Sequence, residues 1–193
     1  MRFMRSLLRR FGRDETGTLM AEAVIVLPVM LWAYLALFVY WDAYRSLNSM
    51  QKASYTLSDM ISREMLPVNQ TYVNGMRTVM EYLIDDDQDV SVRVSSVTWS
   101  EADQRFEIHW SATTSTAMPA LTTASLQTVI NDGGATNVRM PDMADGDYVV
   151  LIETRVGYHP AFSVGLDDSV QEQFIVTRPR FVPCIAFGTI ACI

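Results

Sequence analysis

From Ala23 to Trp41 the chain carries no charged side chain. No other feature restricts its folding as much. Counted from Thr18, the apolar block is about 24 residues long, roughly 36 Å of helix, and spans a bilayer. A helix of this length in the core of a soluble protein shows a polar stripe, and this one has none. Pro28 is its single interior proline, and Tyr40 and Trp41 stand where an aromatic belt meets lipid headgroups. The segment 18–41 is therefore predicted to be a transmembrane helix.

Charge gives the orientation. Residues 1–16 carry Arg2, Arg5, Arg9, Arg10 and Arg13 against Asp14 and Glu15, whereas residues 42–193 carry ten basic and nineteen acidic side chains. The excess of arginine keeps residues 1–17 in the cytoplasm and sends 42–193 across the membrane. This predicts a single-pass protein of a bacterial inner membrane with a periplasmic C-terminal domain. A removable secretion signal fits less well, because its apolar region is about 7–15 residues and ends in small residues, whereas this one runs into Tyr40, Trp41 and Asp42. The pair Arg9-Arg10 reads as topology charge rather than a twin-arginine signal, since Gly12, Arg13 and two acids intervene before the apolar run. The acidic exterior has no basic patch interleaved with aromatics, which argues against nucleic acid as a partner.

The junction before the helix reads Arg13-Asp14-Glu15-Thr16-Gly17-Thr18-Leu19-Met20-Ala21-Glu22. A carboxylate such as Glu22 at the edge of the hydrocarbon either snorkels to the headgroups or has a partner. A glycine closing a basic leader, a glutamate five residues on and a long apolar helix resemble the class III signal of type IV pilin-like proteins. The strings Asp14-Glu15-Thr16-Gly17 and Ala21-Glu22-Ala23-Val24-Ile25-Val26-Leu27-Pro28 are similar to the TadE/TadG-like pseudopilins of the tight-adherence (Flp) pilus system. So are Glu153-Thr154-Arg155-Val156-Gly157-Tyr158-His159-Pro160 and Arg178-Pro179-Arg180-Phe181, while residues 60–145 carry no likeness. The resemblance implies a prepilin peptidase that cuts between Gly17 and Thr18, and other pilus-assembly subunits as partners of the apolar helix. The residue after Glu22 is Ala23, where that family often has an aromatic. Physically, the cut creates an ammonium on Thr18 that compensates the Glu22 carboxylate of the same or a neighbouring helix and marks a packing register. Glycine at the cut removes the Cβ that would obstruct an extended backbone in a peptidase cleft.

Past the membrane, Ala43, Leu47, Met50, Leu57 and Ile61 recur at three- and four-residue spacing, which continues the helix as a stalk ended by Pro67. A second helix is predicted over 70–84, with Val73, Met76, Met80, Leu83 and Ile84 on its apolar face. Val90, Val92 and Val94, then Phe106, Ile108 and Trp110, alternate with polar residues and predict a hairpin turning at 100–104. A short helix over 118–130 stops at Asn131-Asp132-Gly133-Gly134, and strands follow at 148–158 and 172–177. Helices first and strands later predict an α+β fold, an antiparallel sheet covering the stalk helix as in pilins.

The inventory of reactive groups is thin. His109 and His159 lie fifty residues apart without cysteine or carboxylate at metal-ligand spacing, and Asp85-Asp86-Asp87 with Asp89 lacks the glycine and closing glutamate of an EF-hand. Asp142, Asp145 and Asp147 around Gly146 read as a solvated turn. No serine or threonine stands in a nucleophile setting, so neither an enzyme, a metal nor a cofactor is expected. Cys184 and Cys192 are the only cysteines and fall in the exported domain, where a disulfide is the default and pins an apolar tail; two buried thiols are the alternative. Two functions compete: a minor pseudopilin of a pilus-assembly system, and an unprocessed, membrane-anchored periplasmic scaffold or binding protein.

Overall fold

The computed structural model describes residues 16–84, 88–131 and 140–192. The leader with its five arginines, Asp85 to Asp87, and Asp132 to Gly134 lie outside the described residues. The elements in chain order are α1 (Thr16–Ser62), α2 (Gln70–Ile84), β1 (Val90–Ser100), β2 (Arg105–Thr113), α3 (Thr123–Asn131), β3 (Tyr148–Tyr158) and β4 (Ser169–Thr177). Among the described residues two compact units are distinguished, one of 16–43 with 160–167 and one of 44–159 with 168–192.

In the first unit α1 runs as unbroken helix with Pro28 inside it. Val39 is buried, but most apolar residues of this part of α1 are not: Val24, Leu27, Leu31 and Leu37 are each 61–71% exposed. In water every such side chain forgoes about 1.5–3 kcal/mol of burial, which lipid would restore. Among the described residues this is the one helix long and apolar enough to cross a membrane.

The second unit is an α+β domain. Its sheet is antiparallel throughout, in the order β2-β1-β3-β4. One face carries Val90, Val92, Val94, Val150, Ile152 and Val156, which pack with Met50, Ala53, Leu57 and Ile61 of α1 and Val73, Met76 and Met80 of α2. A long apolar helix whose later half packs on a four-stranded antiparallel sheet is a pilin-like architecture. The opposite face carries Val97, Val149 and Leu151, covered by Leu121 and by Leu126 of α3. Within the α1 interface Ser54 shares a 2.8 Å hydrogen bond with Thr154 and returns another to the Met50 carbonyl, so the buried hydroxyls are paired.

Several boundaries differ from the sequence expectation, each for a physical reason. α1 ends at Ser62, not at Pro67: the Arg180 amide donates to the Ser62 carbonyl at 2.8 Å, and Arg63 and Glu64 close a turn on Met60 and Ile61. A tertiary hydrogen bond thus satisfies a carbonyl that the next helical turn would otherwise take. Leu47 and Leu83 are 40% and 41% exposed; the buried faces run through Met50, Ala53, Leu57 and Ile61, and through Val73, Met76, Met80 and Ile84. α3 begins at Thr123 rather than at 118, while Met118 and Leu121 are buried from the loop before it. β4 starts three residues earlier than alternation indicated, at Ser169.

The hairpin holds the largest difference. Alternation of Phe106, Ile108 and Trp110 places all three on one face, yet Phe106 and Ile108 pack with Val97 while Trp110 joins the α1 side. The register shift between Ser96 and Val97 inserts one extra residue on β2, since Ser96 pairs with Trp110 and Val97 with Ile108. A bulge of this kind turns the strand and exchanges its faces.

Candidate functional site

The sequence points to the start of α1. Gly17 lies in its first turn, exposed, and a Cβ built on it meets nothing within 4 Å. Glycine has no Cβ and favours a helix less than alanine does, which makes the 17–18 peptide easier to open than its apolar neighbours. Thr18 follows within the same turn, and Glu22 is exposed one turn further on, beside Met20 at 74% exposure.

Near Tyr40 the first unit gains a second segment that the sequence reading left without a role. The Tyr40 hydroxyl donates to the Gly165 carbonyl at 3.3 Å, and Phe38 meets Phe162 edge-on with centroids 6.2 Å apart. Gly165 has φ +79°, where a side chain is strained, and its Cβ would lie 3.6 Å from the Tyr40 oxygen. The cue in the sequence was Gly165 within an irregular run after Pro160; the pairing with Tyr40, 125 residues away, has no local signature.

In the second unit Cys184 and Cys192 are joined, Cα to Cα 5.9 Å, closing a loop of sequence separation 8. Ile185 inside this loop is 2% exposed, and its carbonyl accepts from the Trp110 indole at 2.7 Å. Phe187 stacks on Trp110 at 4.9 Å. Val68 donates its amide to Ala186 at 2.9 Å and accepts from Gly188 at 2.7 Å. The disulfide loop therefore clamps the α1–α2 connection onto the sheet through backbone bonds and one aromatic stack. Sequence reasoning identified the cysteine pair but not its receptor, Trp110 with Val68.

Other polar groups are arranged for structure. Arg93 and Glu153 face each other across β1 and β3 and form a bidentate pair at 2.6 Å for both bonds. Arg93 also donates to the Pro119 carbonyl. Asp145 accepts from the Glu101 amide and Asp147 pairs with Arg178, which fixes the turn at Gly146 (φ +74°). Burial pushes the Tyr72 phenol well above its usual range, and the Glu64 carboxylate beside it adds to the shift. The His109 ring meets Tyr148 edge-on with centroids 5.4 Å apart, and His159 Nδ1 lies 3.1 Å from Asp168. Among the described residues no three His, Cys, Asp or Glu side chains gather as a metal ion requires.

No protein-family model, curated protein or solved structure matches the chain.

Proposed function

We propose that the protein is a minor pseudopilin-like component of a type IV-like, tight-adherence pilus assembly system, held in the inner membrane by α1 with its sheet domain in the periplasm. One observation carries this reading: a single helix is bare apolar surface over its first half and the core of a sheet domain over its second. Such a helix is a membrane anchor before assembly and a packing element within an assembly after it. The disulfide supports an oxidising compartment for the domain. The exposed apolar half supports association with other helices in or out of lipid. A prepilin peptidase is the proposed processing partner, other pilus-assembly subunits the proposed packing partners, and the role is structural rather than catalytic.

Cleavage after Gly17 removes every leader arginine and leaves an ammonium on Thr18, one helical turn before Glu22. In a low-dielectric setting this ammonium offsets the cost of the carboxylate, from its own helix or from a neighbour's. The test is the intact mass and N-terminal sequence of the membrane-extracted protein, together with co-purification of assembly subunits. Wild type begins at Thr18; Gly17→Val stays full length, because a branched side chain obstructs the extended backbone; Glu22→Ala inserts normally and loses partners. An uncut N-terminus with unchanged co-purification of Glu22→Ala supports a permanently anchored scaffold instead.

A further inference from the structure

The sheet has two edges, and they are treated differently. Along β2, backbone groups are taken by side chains of flanking helices: the Ile108 amide donates to Thr123 Oγ1 at 3.1 Å, the Phe106 carbonyl accepts from Gln127 at 2.8 Å, and the Thr113 carbonyl accepts from Gln70 at 2.9 Å. Along β4 nothing comparable exists among the described residues, where its backbone hydrogen-bonds to β3 alone. β4 is nine residues of unbroken register, from Ser169 opposite Tyr158 to Thr177 opposite Val150. It contains no proline, no lysine and no bulge, the devices by which exposed edges are usually protected from pairing. An edge this long and undefended offers its outward amides and carbonyls on alternate residues to an added strand.

The start of β4 adds a chemical preference. A cleft of about 450 Å³ opens there on the face of Arg155, Gly157 and Val170. Glycine at 157 leaves its floor without a side chain, and Val170, 63% exposed, forms an apolar sill. Glu172 is committed to Arg155 at 2.9 Å. Asp89 and Asp168 remain on the cleft wall, Asp168 3.1 Å from His159, so carboxylates outnumber the one arginine of the site. An arginine or lysine stem lying along Val170 would place its cation among these carboxylates. A second copy of the chain fits poorly, since its β2 edge is occupied by Gln70, Thr123 and Gln127 and pairing through its own β4 would bring two acidic domains edge to edge.

We propose that β4 is a strand-addition edge that receives an extended, basic peptide segment of a partner protein, whose Lys or Arg side chain enters the Asp89–Asp168 cleft. The interaction is independent of processing at Gly17. It is tested with the full chain in detergent micelles and a fluorescein-labelled nonapeptide, Thr-Val-Thr-Val-Arg-Val-Thr-Val-Thr, followed by fluorescence anisotropy. Saturable binding is expected below about 1 mM, with about tenfold weakening when the central Arg is replaced by Glu. Two further peptides, N-methylated on alternate residues in the two possible phases, separate strand addition from side-chain binding. An added strand uses the amides of one edge only, so one phase abolishes binding and the other retains it. Asp89→Asn with Asp168→Asn removes the preference for Arg over Glu, and Val170→Lys weakens the Arg peptide, both at unchanged melting temperature. Equal binding of the two N-methylated peptides overturns strand addition, and equal binding of the Arg and Glu peptides overturns the role of the cleft. Absence of saturable binding up to about 1 mM, or a dimer that Val170→Lys dissolves while no peptide binds, overturns the proposal.

Discussion

The Arg93–Glu153 pair gives the sharpest test of how the sheet domain is held together. The two side chains are 8% and 14% exposed, so this is not a surface ion pair worth about 0–1 kcal/mol. Both guanidinium bonds to the carboxylate measure 2.6 Å, and a third is made to the Pro119 carbonyl. Removing one partner leaves the other charge desolvated and unpaired. Arg93→Met or Glu153→Leu is therefore expected to cost about 3–5 kcal/mol, a fall in melting temperature of roughly 6–20 °C for a domain of this size. Removing both charges removes the desolvation cost as well. Arg93→Met with Glu153→Leu is expected to lie within about 1 kcal/mol of wild type or above it, leaving a coupling between the sites of several kcal/mol. Urea unfolding of the full chain in micelles, followed by tryptophan fluorescence, measures all four corners of the cycle. Singles that each cost less than about 1 kcal/mol, or a double variant that costs the sum of the singles, refute the reasoning: the pair would then be screened by solvent or replaceable by other contacts.

Replacing Cys184 and Cys192 by serine releases a short loop and is expected to cost about 2.5 kcal/mol in the chain-entropy model, read as an equal shift in urea unfolding between the double variant and reduced wild type. Tyr72 is protonated more tightly in the folded chain than in the unfolded one, because of burial and then Glu64. That contribution is complete below the ordinary tyrosine value of about 10 and is lost as pH rises above it, so Tyr72→Phe flattens the alkaline fall of the unfolding midpoint; identical pH profiles would count against the shift.

Features of the fold that depend on local pattern were readable from the chain. α2 is bounded as its spacing of Val73, Met76, Met80 and Ile84 requires, and β3 as its apolar run from Tyr148 to Ile152, continued by alternate burial at Thr154, Val156 and Tyr158, requires. The errors fall where a distant group decides. Ser62 ends α1 because Arg180, far along the chain, takes its carbonyl; Leu47 points outward because the sheet meets the helix along the Met50 to Ile61 face. Trp110 changes sides because a bulge opposite Ser96 and Val97 adds a residue that alternation cannot reveal.

The candidate site divides along the same line. A membrane reads only hydrophobicity and charge, averaged over a score of residues, so the proposed anchor around Leu31 and the orientation proposed from the leader arginines can be argued without any fold. Gly17 and Glu22 are visible because the motif is contiguous. The receptor of the disulfide loop is not: Trp110 and Ile185 are 75 residues apart, and only folding brings the indole to that carbonyl. The undefended edge of β4 was equally hidden, since a strand's neighbours depend on the whole sheet order. Its run of Gln171, Glu172, Gln173, Phe174, Ile175 and Val176 reads the same whether the strand is central or at the edge. What separates the two edges is that Gln70, Thr123 and Gln127 come from helices that reach β2 and not β4, so a search for binding surfaces in such a chain begins with the backbone groups its own side chains leave uncovered.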